Sequence, residues 1–102
     1  MRIAARLERA AAQDQRRFAR HSVHVSAGLG APDRPSSPVT VVDLSTHGCG
    51  IEIDSHLEAG ARVWIALPGL EPWPSRVMWL QDRRAGLAFD RSLHQGVVDR
   101  YR

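Results

Sequence analysis

The sequence predicts a mainly β protein: a six-stranded antiparallel β-barrel preceded by a short N-terminal helix and closed by a C-terminal helix. Six short segments, several of which alternate apolar and polar residues, follow one another at close spacing, which favours a small barrel over an open sheet. Glycines and prolines punctuate the chain between several of them. The 102 residues suffice for one modest core. We therefore expect a helical extension over residues 1–14 and one domain over residues 15–102.

The first half of the chain is assigned from its helix formers, its alternation and its glycine and proline content. Strong helix formers with an apolar stripe predict the N-terminal helix over residues 3–14. A basic link, residues 15–20, leads into a first strand over residues 21–27, whose valines and alanine face the core. Residues 28–38 hold two glycines, three prolines and two serines, so we predict an exposed loop there.

The other five strands lie between turn residues or follow the predicted loop. They are predicted at residues 39–44, 49–53, 61–67, 75–81 and 86–89. Residues 45–48 read as a tight turn, which joins the second and third strands as a hairpin. Residues 90–102 are predicted to form the closing helix.

Composition excludes several classes of protein. No apolar run is long enough to cross a bilayer, and the arginine-rich start of the chain lacks the apolar centre of a signal peptide. We therefore expect a cytoplasmic protein without membrane insertion. A lone cysteine, Cys49, cannot form an internal disulfide, and no spacing of cysteines or histidines suggests zinc. Ser45 and His47 lie close together on the predicted turn but lack a nucleophile elbow, so we expect no enzyme.

Every one of the 14 basic residues is an arginine. A guanidinium group is a permanently charged fork that suits phosphates and the Hoogsteen edge of guanine. Arg16, Arg17 and Arg20, here called the arginine cluster, fall within five residues on the predicted link and can converge on one polyanion. A solvated basic stretch with no ligand is the alternative interpretation of the cluster by itself.

A second group of chemically suited residues lies at the predicted hairpin turn. Asp43 could accept hydrogen bonds from guanine N1–H and N2–H₂, and Ser45 could donate to a phosphate or a guanine. Gly48 would let a ligand approach the backbone. The alternative is an ordinary turn closed by Ser and Asp side chains, in which Gly48 supplies a positive φ.

The two groups together resemble the paired signature of PilZ domains, Arg-x-x-x-Arg followed by Asp-x-Ser-x-x-Gly. Arg16 and Arg20 match the first part, and Asp43, Ser45 and Gly48 match the second, here called the DxSxxG turn. Residues 86–89 also look like the last barrel strand of that family, so the resemblance covers residues 15–91. It implies a six-stranded barrel with a C-terminal helix, in a bacterial protein of second-messenger signalling.

The resemblance also implies cyclic di-GMP as the ligand, with no cofactor. The outer arginines of the cluster would grip phosphates and guanine edges with Arg17 as a helper, Asp43 and Ser45 would contact a guanine, and Gly48 would shape the turn. Gln15 precedes the signature, at a position that varies in the family, so the resemblance leaves one or two bound molecules open. We expect the N-terminal link to become ordered over the ligand and to relay binding to a protein partner.

Two other functions fit parts of the sequence. A module of the same fold could dock onto proteins without nucleotide, although every signature position is retained. A barrel that binds single-stranded DNA or RNA would use arginines and tryptophans along a groove, whereas these arginines cluster at one terminus. Among the tryptophans, Trp73 lies between two prolines and is predicted to be the most exposed. Metal binding by the five histidines is not expected, because none shows a ligand spacing.

Overall fold

The computed structural model describes residues 19–102, which contain six strands and one short helix. The strands are β1 (His21–Ala31), β2 (Arg34–Leu44), β3 (Gly48–Glu52), β4 (Arg62–Ala66), β5 (Trp73–Gln81) and β6 (Arg84–Phe89), followed by α1 (Gln95–Asp99). They close into an antiparallel barrel in the order β1-β2-β3-β6-β5-β4. The predicted fold class is therefore confirmed. The N-terminal helix, Arg16 and Arg17 lie outside the described residues.

Alternating side chains build the interior of the barrel, as a closed sheet requires. Val41 and Leu44 of β2, Ile51 of β3 and Leu87 of β6 are fully buried. The valines at the start of β1 pack against this core while remaining partly exposed. A fully closed barrel has no free lateral edge, so the outer face of the sheet is the surface on which a ligand can rest.

The predicted loop over residues 28–38 is wrong. β1 continues to Ala31 and β2 begins at Arg34, so only Pro32 and Asp33 form the turn. The prolines are tolerated because β2 pairs with β3 only from Thr40 onward, and the earlier part of the strand has β1 as its sole partner. A proline in such a half-paired stretch can direct its missing N–H away from the ladder.

The closing helix is much shorter than the predicted span of residues 90–102. The segment before α1 is held in an irregular conformation, because Asp90 N–H donates to the carbonyl of Pro74 and Leu93 N–H donates to the carbonyl of Thr46. α1 then starts at a cap formed by His94, whose Nδ1 accepts from Gly96 N–H at 3.0 Å. These backbone N–H groups therefore donate to carbonyls of the barrel and the turn and not to carbonyls of a helix, as the predicted helix would require.

Trp73 is not the exposed residue that its flanking prolines predict. Its side chain is partly buried and packs against the core, and its Nε1 donates to the carbonyl of Arg91 at 2.9 Å. The Arg91 guanidinium lies 4.3 Å from the centre of the Trp73 ring. This cation–π contact and hydrogen bond attach the segment between β6 and α1 to the start of β5.

Candidate functional site

The last residue of the arginine cluster contacts the DxSxxG turn directly. An Arg20 guanidinium nitrogen lies 2.7 Å from Oδ2 of Asp43. The contact follows from strand pairing, because Ser22 near the start of β1 is opposite Asp43 near the end of β2. The Arg20 and Asp43 side chains are 36% and 25% exposed, so the pair lies at the surface, where a ligand can reach it. Among the described residues of the two sequence motifs, Arg20 and Asp43 form an ion pair that joins the motifs.

The second oxygen of Asp43 is held by the next strand. Gly50 of β3 donates its backbone N–H to Oδ1 at 2.9 Å. A Cβ at Gly50 would come within 2.5 Å of Oδ2, so a side chain at this position would displace the carboxylate. Asp43 is thus fixed between a backbone donor and a guanidinium, and its remaining lone pairs stay available for a further donor.

Ser45 holds the backbone of the turn. Its hydroxyl oxygen accepts the N–H groups of His47 and Gly48 at 3.1 and 3.2 Å, and its own backbone N–H donates to the Gly48 carbonyl at 2.9 Å. The residue is 2% exposed. These bonds are those of a serine-closed turn, which satisfies backbone groups that the strands leave free.

Gly48 is required by close packing, and the positive-φ interpretation of this glycine is wrong. Among the described glycines, only Gly60 and Gly69 have positive φ. A Cβ at Gly48 would collide with the backbone carbonyl of Leu87 on the neighbouring strand β6. The glycine therefore lets β3 and β6 approach each other at the point where the turn enters the sheet.

The family model of the PilZ domain matches residues 14–100. The chain belongs to the PilZ domain family. The PilZ domain of CeSA from a cellulose-synthesizing bacterium has a similar structure, with a TM-score of 0.62 and 18% sequence identity, over 76% of this chain and 85% of that chain. At this identity the likeness concerns the fold. A comparison with curated proteins gives no match.

PilZ domains are generally receptors for cyclic di-GMP and are typically binding modules without enzymatic activity. In this PilZ domain the DxSxxG turn is also bonded to the C-terminal part of the chain. Phe89 N–H donates to the carbonyl of His47 at 2.9 Å, and Leu93 N–H donates to the carbonyl of Thr46 at 2.7 Å. The C-terminal segment therefore contacts the candidate site through backbone groups, which its sequence gives no signal to predict.

The outer face beside the turn continues across two more strands of the PilZ barrel. Asp43, Gly50, Gly86 and Trp79 are successive cross-strand partners on β2, β3, β6 and β5. The Trp79 indole lies over Gly86, where a Cβ would collide with its ring. Sequence analysis missed Gly50 and Gly86. Their positions opposite Asp43 and Trp79 could have been found only by knowing the register of the strands.

The interior below the turn is apolar enough to suppress ionisation of Cys49. Burial, and secondarily the charge of Asp43, raise the pKa of this thiol above its ordinary value of 9.0. Cys49 is fully buried and unpaired. In the described part of the chain, no three His, Cys, Asp or Glu side chains are grouped to hold a metal ion. Residues 19–102 also contain no helix with the length and apolar character needed to span a membrane.

Proposed function

We propose that this PilZ domain is a cyclic di-GMP receptor that binds its ligand between the arginine cluster and the DxSxxG turn. The proposed site residues are Arg16, Arg17, Arg20, Asp43, Ser45 and Gly48. The observation that carries the proposal is the 2.7 Å contact between Arg20 and Asp43. This contact joins a guanidinium and a carboxylate from separate parts of the sequence at the surface, and we propose that the first binds phosphate and the second binds guanine.

The chemistry of the pair suits a guanine nucleotide. A guanidinium has five N–H donors in a fixed fork, so Arg20 can keep its bond to Asp43 and still donate to a phosphate oxygen or to guanine O6 and N7. The Asp43 carboxylate can accept from guanine N1–H and N2–H₂ while Gly50 holds its other side. Charge-assisted hydrogen bonds of this kind are among the stronger polar contacts in proteins.

Ser45 and Gly48 contribute through the shape of the turn in this proposal. The Ser45 hydroxyl is already engaged with the backbone of His47 and Gly48. Gly48 allows the close approach to Leu87 that fixes where the turn leaves the sheet. The turn is therefore rigid before the ligand arrives, and a preorganised site loses less conformational entropy on binding.

Binding would be tested by calorimetry on the full chain with cyclic di-GMP, with GMP and GTP as comparison ligands. We expect saturable binding that Arg20→Ala and Asp43→Ala each abolish or weaken at least tenfold. Arg62→Ala is the matched control, because Arg62 of β4 also forms an ion pair at the surface, 3.5 Å from Asp90, which follows β6. Absence of binding by the folded wild-type protein would instead favour an interaction module that works without nucleotide.

The proposal includes a relay from the ligand to an unidentified protein partner. Residues 15–20 precede β1 and would become ordered over the nucleotide, which would change the position of the preceding segment. Amide hydrogen exchange over residues 1–20 measures this change. Equal exchange with and without saturating cyclic di-GMP would contradict the relay while leaving binding itself intact.

A further inference from the structure

The outer side of the β4–β5 strand pair carries two arginines next to two apolar residues. Arg62 of β4 is directly opposite Arg76 of β5, and Trp64 is directly opposite Pro74. Val63, which lies between Arg62 and Trp64 on β4, is fully buried in the barrel. Side chains alternate along a strand, so the two arginines, Trp64 and Pro74 share the outward side of the sheet. These four residues are here called the β4–β5 face.

The β4–β5 face lies on the other side of the barrel from the DxSxxG turn. The strands close in the order β1-β2-β3-β6-β5-β4, so two strand pairs separate β4–β5 from β2–β3 in either direction around the barrel. The turn joins β2 to β3. A protein bound to the β4–β5 face would therefore leave the proposed nucleotide site open.

We propose that the β4–β5 face docks an extended, acidic segment of a partner protein. Its carboxylates bind Arg62 and Arg76, and an apolar side chain of the same segment packs on Trp64. This interaction goes beyond the proposed function and does not depend on nucleotide. Side chains on one side of an extended chain are about 7 Å apart, and the arginine pair and the Trp64–Pro74 pair are likewise two residues apart. An acidic residue two positions from an apolar residue therefore matches the face.

The two arginines leave a positive charge without a compensating carboxylate. The Arg62 guanidinium lies 3.5 Å from Asp90. Within residues 19–102 no carboxylate pairs with Arg76, whose guanidinium donates to the backbone carbonyl of Gly60 at 3.4 Å. Like charges directly opposite each other on neighbouring strands are destabilising, and arginine does not release its proton. A carboxylate from a partner would offset this repulsion and accept charge-assisted hydrogen bonds.

Trp64 offers an apolar surface beside the arginines. It is partly exposed, and the partly buried side chains that pack against the described core include Trp73 but not Trp64. Gly30 of β1 is directly opposite Trp64 on its other flank, and no described atom lies within 4 Å of a Cβ built at Gly30. An apolar side chain can therefore rest above Gly30 against the indole. Tryptophan and arginine are enriched among the residues that dominate binding in protein interfaces.

Charge also decides between classes of partner. A second copy of the chain docked face to face would bring the arginine pairs of both copies together, which is unfavourable. An anionic membrane would place its charge against Asp90 as well as against Arg62. Single-stranded nucleic acid needs a groove of cations that follows its backbone. An acidic protein segment needs only the two guanidiniums and the indole.

The first experiment follows the indole N–H signal of Trp64 by NMR, with Trp64→Phe used to assign it. The probe is the capped peptide Thr-Glu-Thr-Phe-Thr-Glu-Thr, which places both glutamates and the phenylalanine on one side of an extended chain. We expect a saturable shift that is at least several-fold weaker when glutamine replaces both glutamates. Arg76→Gln should raise the Kd of the glutamate peptide about tenfold.

Arg83→Gln is the matched control for Arg76→Gln. Arg83 lies between β5 and β6, and its side chain is 86% exposed. This variant should bind the glutamate peptide as the wild type does. A Trp64 signal that does not respond to the glutamate peptide, or equal Kd values for Arg76→Gln and Arg83→Gln, would overturn the inference.

A second experiment selects the partner chemistry without assuming a sequence. Random seven-residue peptides displayed on phage are selected on the immobilised wild-type chain, and those that also bind the double variant Arg62→Gln/Arg76→Gln are removed. We expect enrichment of aspartate or glutamate two positions from an aromatic or aliphatic residue. The folded double variant should bind cyclic di-GMP as the wild type does, which keeps this test separate from that of the nucleotide site. No such enrichment, or a Trp64 signal that responds to anionic phospholipid vesicles and not to the peptides, would overturn the inference.

Discussion

The Asp43 carboxylate occupies the space that a side chain at Gly50 would need. An ideal Cβ on Gly50 lies 2.5 Å from Oδ2 and 3.1 Å from Oδ1 of Asp43. The same Oδ1 accepts the Gly50 N–H, and Oδ2 contacts Arg20. The absence of one methyl group on β3 thus allows the carboxylate to meet the arginine that precedes β1.

Gly50→Ala is expected to weaken cyclic di-GMP binding about tenfold while the barrel stays folded. The new methyl group displaces the end of a flexible side chain, so the main loss is the charge-assisted contact of Asp43 with Arg20. Calorimetry and thermal unfolding measure the two effects separately. Gly30→Ala is the control, because nothing lies within 4 Å of a Cβ at that position. Equal Kd values for both variants would refute the positioning role of Gly50.

Ser45→Ala is expected to lower the free energy of unfolding by about 1–3 kcal/mol, because two backbone N–H groups lose their buried acceptor. The acceptor in question is the Ser45 hydroxyl, which bonds His47 and Gly48. Urea denaturation gives the change. Ser26→Ala on the exposed side of β1 serves as the control and should be nearly neutral. A similar small change in both variants would show that the turn does not depend on the hydroxyl.

Cys49 is expected to make the stability of the protein fall at high pH. Burial raises the pKa of the folded thiol above its ordinary value of 9.0, so the folded state keeps a proton that the unfolded state releases. The protonated thiol does not lower the free energy of unfolding below pH 9. Above pH 9 this free energy decreases by about 1.4 kcal/mol per pH unit. Urea midpoints of wild type and Cys49→Ala between pH 7 and 10.5 measure the difference. Parallel pH profiles would contradict the prediction.

The buried thiol should also resist alkylation. Because the thiolate is the reactive form, iodoacetamide at pH 8 is expected to modify Cys49 only after unfolding. The comparison is made by mass spectrometry with and without denaturant. Rapid modification of the native protein would mean that the thiol is accessible, contrary to its complete burial.

Leu93→Ala is expected to destabilise the protein by about 2–5 kcal/mol, the usual cost of truncating a buried leucine. Leu93 is 4% exposed, and its N–H donates to Thr46 in the DxSxxG turn. Chemical denaturation measures the loss, and Ser92→Ala, at an exposed neighbouring position, provides the control. An unchanged unfolding midpoint would show that the segment between β6 and α1 is not part of the cooperative fold.

Local sequence patterns were sufficient for the number of strands and for the β2–β3 hairpin. Alternation in β4 buries Val63 and Ile65 as a period of two requires. Local patterns fail for residues 28–38, where the prolines predict a loop and the structure has two strands. Proline disfavours a strand position whose N–H must donate to a neighbouring strand, and among the described strands the first part of β2 has a neighbour on one side only. Pairing partners, which composition does not contain, decide that point.

The final helix, Gln95–Asp99, is shorter than the predicted span of residues 90–102 for a related reason. Helix formers after Phe89 favour a helix locally, but the N–H groups of Asp90 and Leu93 bond to carbonyls of β5 and the turn. Contacts between distant parts of the chain outweighed the weak local preference. The roles of the signature residues stay predictions from sequence, and Arg16 and Arg17 lie outside the described residues.

By itself the sequence determined the number of strands, much of the alternation that faces the core, and which side chains carry the signature chemistry, because these depend on periodicity and residue type. Only the tertiary structure decided which of those residues meet. The register of antiparallel strands brings Arg20 to Asp43, lays Asp43 over Gly50 and Trp79 over Gly86, and places Arg62 beside Arg76. Register is a property of pairs of strands, and a shift of one residue would turn each of these side chains to the other face.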